Sequence, residues 1–494
     1  MNYISTRGGN SPAEKLSAAQ VIKKGIADDG GLYMPEEMPD FTEDDILKMC
    51  GMDYPARAAF ILSKFLTDYS YDELSADCEA AYCEAEFPGG AAPVVPLNRQ
   101  IRMLELWHGP TAAFKDMALQ LKPKLLSRAL SKTGEKRTAF ILAATSGDTG
   151  KAALEGYSGA EGVKIMVFYP VEGVSNIQKL QMATQEGKNV AVCAVKGNFD
   201  DTQNGVKKIF SNAEAVKLLN EKNYFFSSAN SINWGRLVPQ IAYYISAYCD
   251  MINNGDVTCG GEINVCVPTG NFGNILAAYL SKECGMPFKR FICASNANNV
   301  LTEFFKTGTY NRKRPFYTTT SPSMDILISS NLERLLYLTA GSERTSAYMK
   351  ALGTDGAYTV DRGVYNILSH NFTGDFCDET NTAAAIKRAY FDNGYLCDTH
   401  TAVGIYCAEN YINYSGDKRK ILITSTASPY KFASDVYKSL TGKTLPDEFK
   451  AIEALSDMTK TPVPIPLKDI EKRAVRFTKV IEAQDMLNEV LKEL

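Results

Sequence analysis

Histidine and tryptophan are scarce in this chain of 494 residues, which contains three of the former and two of the latter. None of its twelve cysteines is spaced as Cys-x-x-Cys, so a structural zinc site is not expected. Because 53 basic and 57 acidic residues give a net charge of −4, the basic field that nucleic-acid binding requires is excluded. No apolar run is long enough to span a membrane, and the N-terminus resembles neither a signal peptide nor a transit peptide.

What the chain does contain is typical of an intracellular enzyme. Several cysteines lie within apolar runs, such as Val265–Val267 and Ile292–Ala294, where cysteine acts as a small core residue in a reducing compartment. We therefore expect a cytoplasmic enzyme, monomeric or homodimeric. Its partner should be a small-molecule substrate, with no binding to nucleic acid or to a membrane.

The apolar pattern changes at the break Phe87–Pro93. Beyond it, short apolar runs alternate with amphipathic stretches, which predicts an α/β fold with a mostly parallel sheet. The predicted units are a mainly helical domain at 1–95, a core at 96–446 with a smaller subdomain at roughly 115–230, and a C-terminal tail with a final helix at 447–494. Arg419–Thr424 is the last strand that the pattern predicts.

A single lysine marks the segment His108–Asp116. Lys115 follows Phe114 in a largely uncharged stretch after a Gly-Pro break. An amine desolvated by apolar neighbours is biased toward its neutral form, which a lysine needs in order to form a covalent imine with a carbonyl. A solvent-exposed lysine at a helix start is the alternative. Which of the two interpretations is favoured depends on other loops of the chain.

A glycine-rich turn follows the predicted strand Glu262–Val267 and leads directly into a helix. Glycines allow successive N–H groups to converge, and the helix dipole adds positive potential, so such a turn can bind a phosphate. An ordinary strand-to-helix turn is the alternative. The residues of this candidate phosphate loop are Gly270, Asn271, Phe272, Gly273 and Asn274.

Two more strand ends carry polar loops. Thr145–Lys151 is not a nucleotide-binding P-loop, because Thr145 replaces its first glycine and Ala152 its last hydroxyl residue. We interpret it as a second anion cup, which suits a carboxylate as well as a phosphate, with Asp148 as a cap or brace. Thr424–Pro429 brings further hydroxyl groups to a strand end, where ligands of open α/β sheets gather.

Arg236 and His400 are further candidates. Arg236 could bind an anionic substrate, or it could be an ordinary surface arginine. His400 could act as an acid or base, contact a phosphate, or do neither. A reactive lysine and a phosphate loop are the two anchors that pyridoxal 5'-phosphate requires, and the second cup then suits the carboxylate of an amino-acid substrate.

The segments 108–116, 145–151, 230–236, 270–274 and 398–404 together resemble the threonine synthase family, in the branch shared by fungi and many bacteria. The likeness extends over essentially the whole chain. Members of that family are pyridoxal-phosphate-dependent lyases of threonine biosynthesis with the tryptophan-synthase-β-like fold, fold type II. They convert O-phospho-L-homoserine and water to L-threonine and phosphate. The resemblance implies this fold, cofactor and activity here.

The resemblance also implies roles for individual residues. Lys115 would hold the cofactor covalently and act as a base, and Thr426 would meet the pyridine nitrogen. The cofactor phosphate would lie in the loop of Gly270, Asn271, Phe272, Gly273 and Asn274. The substrate would be bound by Ser146, Gly147, Asp148 and Thr149 near its carboxylate, with Arg236 and His400 as further contacts.

Two residues depart from the family pattern. Ser428 stands where relatives often have histidine, and Thr399 stands where many have proline, which leaves room for a shifted substrate preference. Two other functions stay open. One is a phospholyase of the same fold, which would release a keto acid and ammonia, and the other is a non-catalytic, cofactor-binding metabolite sensor.

Overall fold

The computed structural model describes residues 1–8, 15–145 and 147–494. The strands are β1 (Tyr3–Ser5), β2 (Tyr33–Pro35), β3 (Val94–Pro96), β4 (Ile101–Glu105), β5 (Thr138–Ala144), β6 (Val163–Pro170), β7 (Val190–Val195), β8 (Tyr224–Ser228), β9 (Ile263–Pro268), β10 (Phe288–Ser295), β11 (Thr309–Asn311), β12 (Ala357–Thr359), β13 (Phe372–Phe376), β14 (Ile421–Ser425) and β15 (Val480–Ile481). The α-helices are α1 (Ala18–Lys24), α2 (Glu43–Cys50), α3 (Tyr54–Phe65), α4 (Tyr71–Ala81), α5 (Asp116–Leu119), α6 (Lys122–Lys132), α7 (Asp148–Tyr157), α8 (Asn176–Ala183), α9 (Phe199–Phe210), α10 (Ala213–Glu221), α11 (Trp234–Asn253), α12 (Gly273–Glu283), α13 (Val300–Thr307), α14 (Leu332–Thr354), α15 (Arg362–Asn371), α16 (Glu379–Asn393), α17 (Thr399–Ser415), α18 (Ala433–Thr441), α19 (Glu448–Thr459) and α20 (Met486–Lys492).

Six strands form the larger sheet, in the order β13-β10-β9-β14-β4-β3. All neighbouring pairs are parallel except β3 with β4. Every residue of β9 and of β14 is buried, as expected for strands that helices cover on both faces. The parallel order collects the carboxyl ends of β9, β14 and β4 at one edge, where the candidate site lies.

Five parallel strands form the smaller sheet, in the order β15-β7-β6-β5-β8. The predicted α/β class with mostly parallel sheets is thereby confirmed. The strand β15 contradicts the expectation that Arg419–Thr424 is the last strand. It consists of Val480 and Ile481 alone, too short for a periodic pattern, and it pairs the C-terminal tail with β7.

Helices α1 to α4 form the N-terminal unit, and it shares its core with α11. Each of the four begins at a side-chain cap, namely Ser17, Thr42, Asp53 and Ser70. The rings of Tyr3 and Trp234 lie 5.4 Å apart, and the Tyr3 hydroxyl donates to the carbonyl of Phe65 at 2.8 Å. This packing anchors the first turn of α11, which carries Arg236. Within the described residues, no helix combines the length and the apolar character needed to cross a membrane.

Candidate active site

The loop that carries Lys115 is held at the carboxyl edge of the larger sheet. It connects β4 to α5, and the N–H of Phe114 donates to the carbonyl of Thr426 at 2.8 Å. Ala113 and Ala427 form an isolated antiparallel bridge. Because Thr426 directly follows β14, this pairing fixes Lys115 beside the end of an interior strand.

Lys115 is only 8% exposed, and its Nζ lies 3.3 Å from both Oδ2 of Asp148 and Oγ of Ser323. Burial lowers the pKa of Lys115 from its ordinary value. The charge of Asp148 opposes this effect, and the nearby cations Lys431 and Arg236 add to it. A lysine in such surroundings loses its proton more readily than one in water, as a nucleophile must.

Asp148 opens α7 at the carboxyl edge of the smaller sheet. Its Oδ1 accepts from Nζ of Lys431 at 2.7 Å and from Nε2 of Gln178 at 2.9 Å, while its Oδ2 faces Lys115 and accepts from Ser323 at 3.2 Å. Burial by itself would raise the pKa of Asp148, but Lys431 and Lys115 hold it well below its usual range. The residue is an anionic brace between two lysines.

The loop around Asp148 depends on a glycine. Gly147 has φ of 142°, and a Cβ there would lie 2.4 Å from the side chain of Gln178. The hydroxyl of Thr145 accepts the N–H groups of Gly147 and Gly150 at 3.0 and 2.9 Å. Thr149, in the first turn of α7, is half-buried. Ser146, the remaining residue assigned to this cup, lies outside the described residues.

Lys431 was missed by the sequence analysis. It lies in a short 3-10 helix, Pro429–Phe432, whose N-cap is Ser428. Its side chain is completely buried, and its Nζ also donates to the carbonyl of Thr111 at 2.9 Å. The signal that could have found it is the one that marks Lys115, since it is the only charged residue between Ile421 and Ser434.

The candidate phosphate loop follows β9 and ends in the first turn of α12. Gly270 has no room for a side chain, because a Cβ there would lie 2.6 Å from the carbonyl oxygen of Ser323. Phe272 has left-handed backbone geometry, with φ of 63°, and its buried ring packs against Phe305 and Phe372. Since a non-glycine residue in this conformation costs about 1 kcal/mol or more, the ring packing must hold the loop in shape.

Asn274 offers a donor that the protein does not use. Its Oδ1 accepts from the hydroxyls of Tyr243 and Tyr244 at 2.8 and 2.5 Å. Its Nδ2 is buried and has no hydrogen-bond partner in the part of the chain that the structure describes. A buried, unpaired donor costs about 1–3 kcal/mol, so a phosphate oxygen at this helix start would satisfy it. The loop therefore fits the phosphate of a bound cofactor.

Thr426 is also available to a ligand. It is 6% exposed, and its backbone bonds to Phe114 and to the hydroxyl of Thr401. Its own hydroxyl makes no hydrogen bond within the described residues. A hydroxyl in this position can donate to, or accept from, a ring nitrogen.

Two more buried cations accompany the lysines. Arg236 donates from Nη1 to the carbonyl of Ala229 at 2.8 Å, and burial lowers its pKa to about 10. Lys122, also missed by the sequence analysis, donates to the carbonyl of Ser228 at 2.7 Å, and burial with the charge of Arg236 holds its pKa well below the usual value. Neither forms an ion pair with any described residue. This region is therefore short of negative charge.

His400 is linked to the cluster through Ser323. Its Nε2 accepts the backbone N–H of Ser323 at 3.1 Å, and its Nδ1 lies 2.7 Å from Asp398. If Nε2 accepts from Ser323, Nδ1 is the nitrogen that donates to Asp398. Thr399, one of the two departures from the family pattern, donates to the carbonyl of Thr320 at 2.7 Å and so has a local structural role.

These features define a class of protein. A buried lysine and a helix start with an unused donor lie together where the carboxyl edges of two mostly parallel sheets face each other. Lysine and phosphate loop are the two anchors of pyridoxal phosphate, and the fold that presents them is that of the type II enzymes that use this cofactor.

Family models describe successive parts of the chain. Residues 2–82 match the threonine synthase N terminus, residues 88–426 match the pyridoxal-phosphate-dependent enzymes, and residues 401–490 match the threonine synthase C-terminal domain. The chain belongs to the threonine synthase family.

Individual relatives agree. Threonine synthase of Saccharomyces cerevisiae is 34% identical, over 93% of this chain and 94% of its own length. The crystal structure of pyridoxal-phosphate-bound threonine synthase from Brucella melitensis superimposes with a TM-score of 0.88 and 33% identity, covering 100% of this chain and 99% of the other. Human threonine synthase-like 1 is 38% identical over 89% of this chain, which spans only 60% of that longer protein.

Proposed function

We propose that this chain is a pyridoxal-phosphate-dependent lyase that converts O-phospho-L-homoserine and water to L-threonine and phosphate. The observation that carries the proposal is the placement of buried Lys115 against Asp148, beside a phosphate loop with an unpaired donor and among cations in excess of acids. The yeast and Brucella relatives named threonine synthase support it over nearly the full chain.

In this proposal Lys115 holds the cofactor covalently. The loop residues Gly270, Asn271, Phe272, Gly273 and Asn274 bind its phosphate, and the Thr426 hydroxyl meets the pyridine nitrogen. When bound, pyridoxal phosphate withdraws the electron pair left at a carbon from which a proton departs. A hydroxyl at the pyridine nitrogen does not force that nitrogen to be protonated, which limits how much charge the ring stores.

The substrate carboxylate lies at the start of α7, in the second cup, to which the resemblance assigns Ser146, Gly147, Asp148 and Thr149. The positive end of the helix favours an anion there. Since Asp148 is itself anionic, backbone N–H groups and hydroxyls must make the contact. Asp148 instead orients the freed amine of Lys115.

The substrate phosphate is the anion that this cleft lacks. Among the described residues Lys115, Lys431 and Arg236 interact electrostatically, and the one carboxylate that forms ion pairs here is Asp148, which pairs with the two lysines. A dianionic phosphate beside Arg236 would restore the balance, since guanidinium groups bind phosphate by paired hydrogen bonds. His400 would act on the substrate indirectly, because it accepts the backbone N–H of Ser323 and so fixes the Ser323 loop.

Proton transfer falls to Lys115. With its amine free, Nζ of Lys115 would take the proton from Cα of the substrate and would then take one from Cβ as phosphate leaves Cγ. Burial and the positive charges of Lys431 and Arg236 lower the pKa of the freed amine and so favour its neutral form. The proton taken from Cβ would return to Cγ, water would add its hydroxyl at Cβ and give its remaining proton to the released phosphate, and a proton would return to Cα to complete L-threonine.

The test is a product assay on the cofactor-loaded protein. We expect L-threonine and inorganic phosphate in equal amounts from O-phospho-L-homoserine. Ammonia with a keto acid would indicate a phospholyase instead, and bound cofactor without turnover would indicate a sensor. We further propose that the protein works in the cytoplasm as a monomer or homodimer.

A further inference from the structure

The carboxylate of Asp148 is shared by two lysines, and the proposed function uses only one of them. We infer that Lys431 is a positioning residue. It holds the Asp148 carboxylate in one orientation and weakens the attraction of that carboxylate for Lys115, so that the Lys115 amine is free to exchange protons. The inference rests on the proposed function, since it requires Lys115 to be the cofactor lysine.

The contacts rank the two lysines as partners of Asp148. Nζ of Lys431 lies 2.7 Å from Oδ1, whereas Nζ of Lys115 lies 3.3 Å from Oδ2. The Lys431 side chain is completely buried, and the carbonyl of Thr111 accepts a second hydrogen bond from it at 2.9 Å. A buried ammonium needs such partners, because its desolvation is costly. Lys431 is therefore the stronger partner and Lys115 the weaker one.

The position of Lys431 also links three parts of the site. Its 3-10 helix follows β14, its acceptor Thr111 belongs to the loop that carries Lys115, and Asp148 opens α7 of the smaller sheet. One side chain thus ties both sheet edges to the lysine loop. Gln178 and Ser323 complete the hydrogen bonds of Asp148, so the carboxylate has no freedom to turn toward Lys115.

Within the part of the chain that the structure describes, the charged and titratable groups near Lys115 are Asp148 on α7, Lys431 after β14, Arg236 on α11, Asp116 on α5 and, through Ser323, His400 on α17. The carboxylate of Asp116 is occupied by the N–H and hydroxyl of Thr111, at 2.8 and 2.6 Å. The ring of His400 is occupied by Ser323 and Asp398. Among the described residues, the charges that act on the pKa of Lys115 are those of Asp148, Lys431 and Arg236.

Removal of the Lys431 charge should raise the pKa of Lys115. Without it Asp148 would pair with Lys115 alone, and a repelling positive charge would also be gone. Both changes stabilise the protonated amine of Lys115. Removal of the Asp148 charge acts in the opposite direction.

The experiment uses the holoenzyme and follows the visible absorbance of the lysine-bound cofactor as a function of pH. In Lys431→Met we expect the protonation midpoint to move to higher pH, and in Asp148→Asn to lower pH, with Lys431→Arg close to wild type. In Lys431→Met the acid limb of the kcat–pH profile should move together with the midpoint. Turnover near pH 7 should then fall about tenfold for each pH unit by which the midpoint moves. If Lys431→Met does not fold, Lys431→Gln gives the same test with a polar side chain.

The inference is overturned if the Lys431→Met midpoint stays within error of wild type, or if both single variants move it in the same direction, as loosened packing would do. Lys115→Ala separates this from a failure of the proposed function. If that variant keeps the lysine-bound absorbance, the assignment of Lys115 is wrong, whatever Lys431 does.

Discussion

Substitution of Gly270 by alanine tests whether the phosphate loop and the Lys115 cluster depend on one close contact. A Cβ at position 270 would lie 2.6 Å from the carbonyl oxygen of Ser323, so one of the two backbones must retreat by about 0.8 Å to reach an ordinary contact of 3.4 Å. Ser323 also donates to Asp148 and meets Lys115, so the displacement would disturb both proposed anchors of the cofactor. Overpacking of this kind costs about 1–3 kcal/mol, which corresponds to cofactor binding weakened about 5- to 150-fold.

The assay is a titration of the cofactor-free Gly270→Ala protein with pyridoxal phosphate, followed by absorbance. Gly353→Ala is the matched control, since a Cβ there meets nothing within 4 Å and the residue lies in α14, outside the proposed site. We expect the control to bind like wild type and to be slightly more stable, because alanine favours a helix over glycine. Wild-type affinity in Gly270→Ala would refute the reasoning.

Two further predictions concern the KM of Arg236→Ala and the pH dependence of the stability contributed by Asp116. Arg236→Ala should raise the KM for O-phospho-L-homoserine about 10- to 150-fold, because a hydrogen bond to a charged group contributes about 1.5–3 kcal/mol, and an unchanged KM would remove Arg236 from the phosphate site. Burial raises the pKa of Asp116 from 3.8 to about 6. The unfolded chain therefore loses this proton first, and the stability contributed by Asp116 is present below about pH 4 and lost as the pH rises to 6, by about 3 kcal/mol. Urea unfolding of wild type and Asp116→Asn from pH 4 to 7 measures this loss, and a pH-independent difference between the two would contradict it.

The parts of the candidate site that depend on local pattern can be recognised in the sequence. Lys115 is recognisable because a lone charge in an apolar segment has to be buried or functional. The loop at Gly270 is recognisable because glycines between a strand and a helix converge N–H groups at the helix start. The buried strands β9 and β14 are recognisable from their continuous apolar runs.

Other parts depend on contacts between distant segments. Ser323 and Gln178 have no local signal, and they join the site only because Asp148 lies within reach across the fold. Lys431 shares the local signal of Lys115, but its role follows from a partner 283 positions earlier in the chain. The edge strand β15 is too short for a pattern, and the pairing with β7 creates it.

The most direct test of the account is to trap the cofactor on its lysine. Reduction of the cofactor-loaded protein with borohydride would make the lysine–cofactor bond permanent, and peptide mapping by mass spectrometry would then locate it. Among the described residues four lysines are buried and could compete, namely Lys115, Lys122, Lys151 and Lys431. We expect the modification on Lys115, with none in Lys115→Ala. Modification of Lys122, Lys151 or Lys431 in the wild-type protein would contradict the central claim.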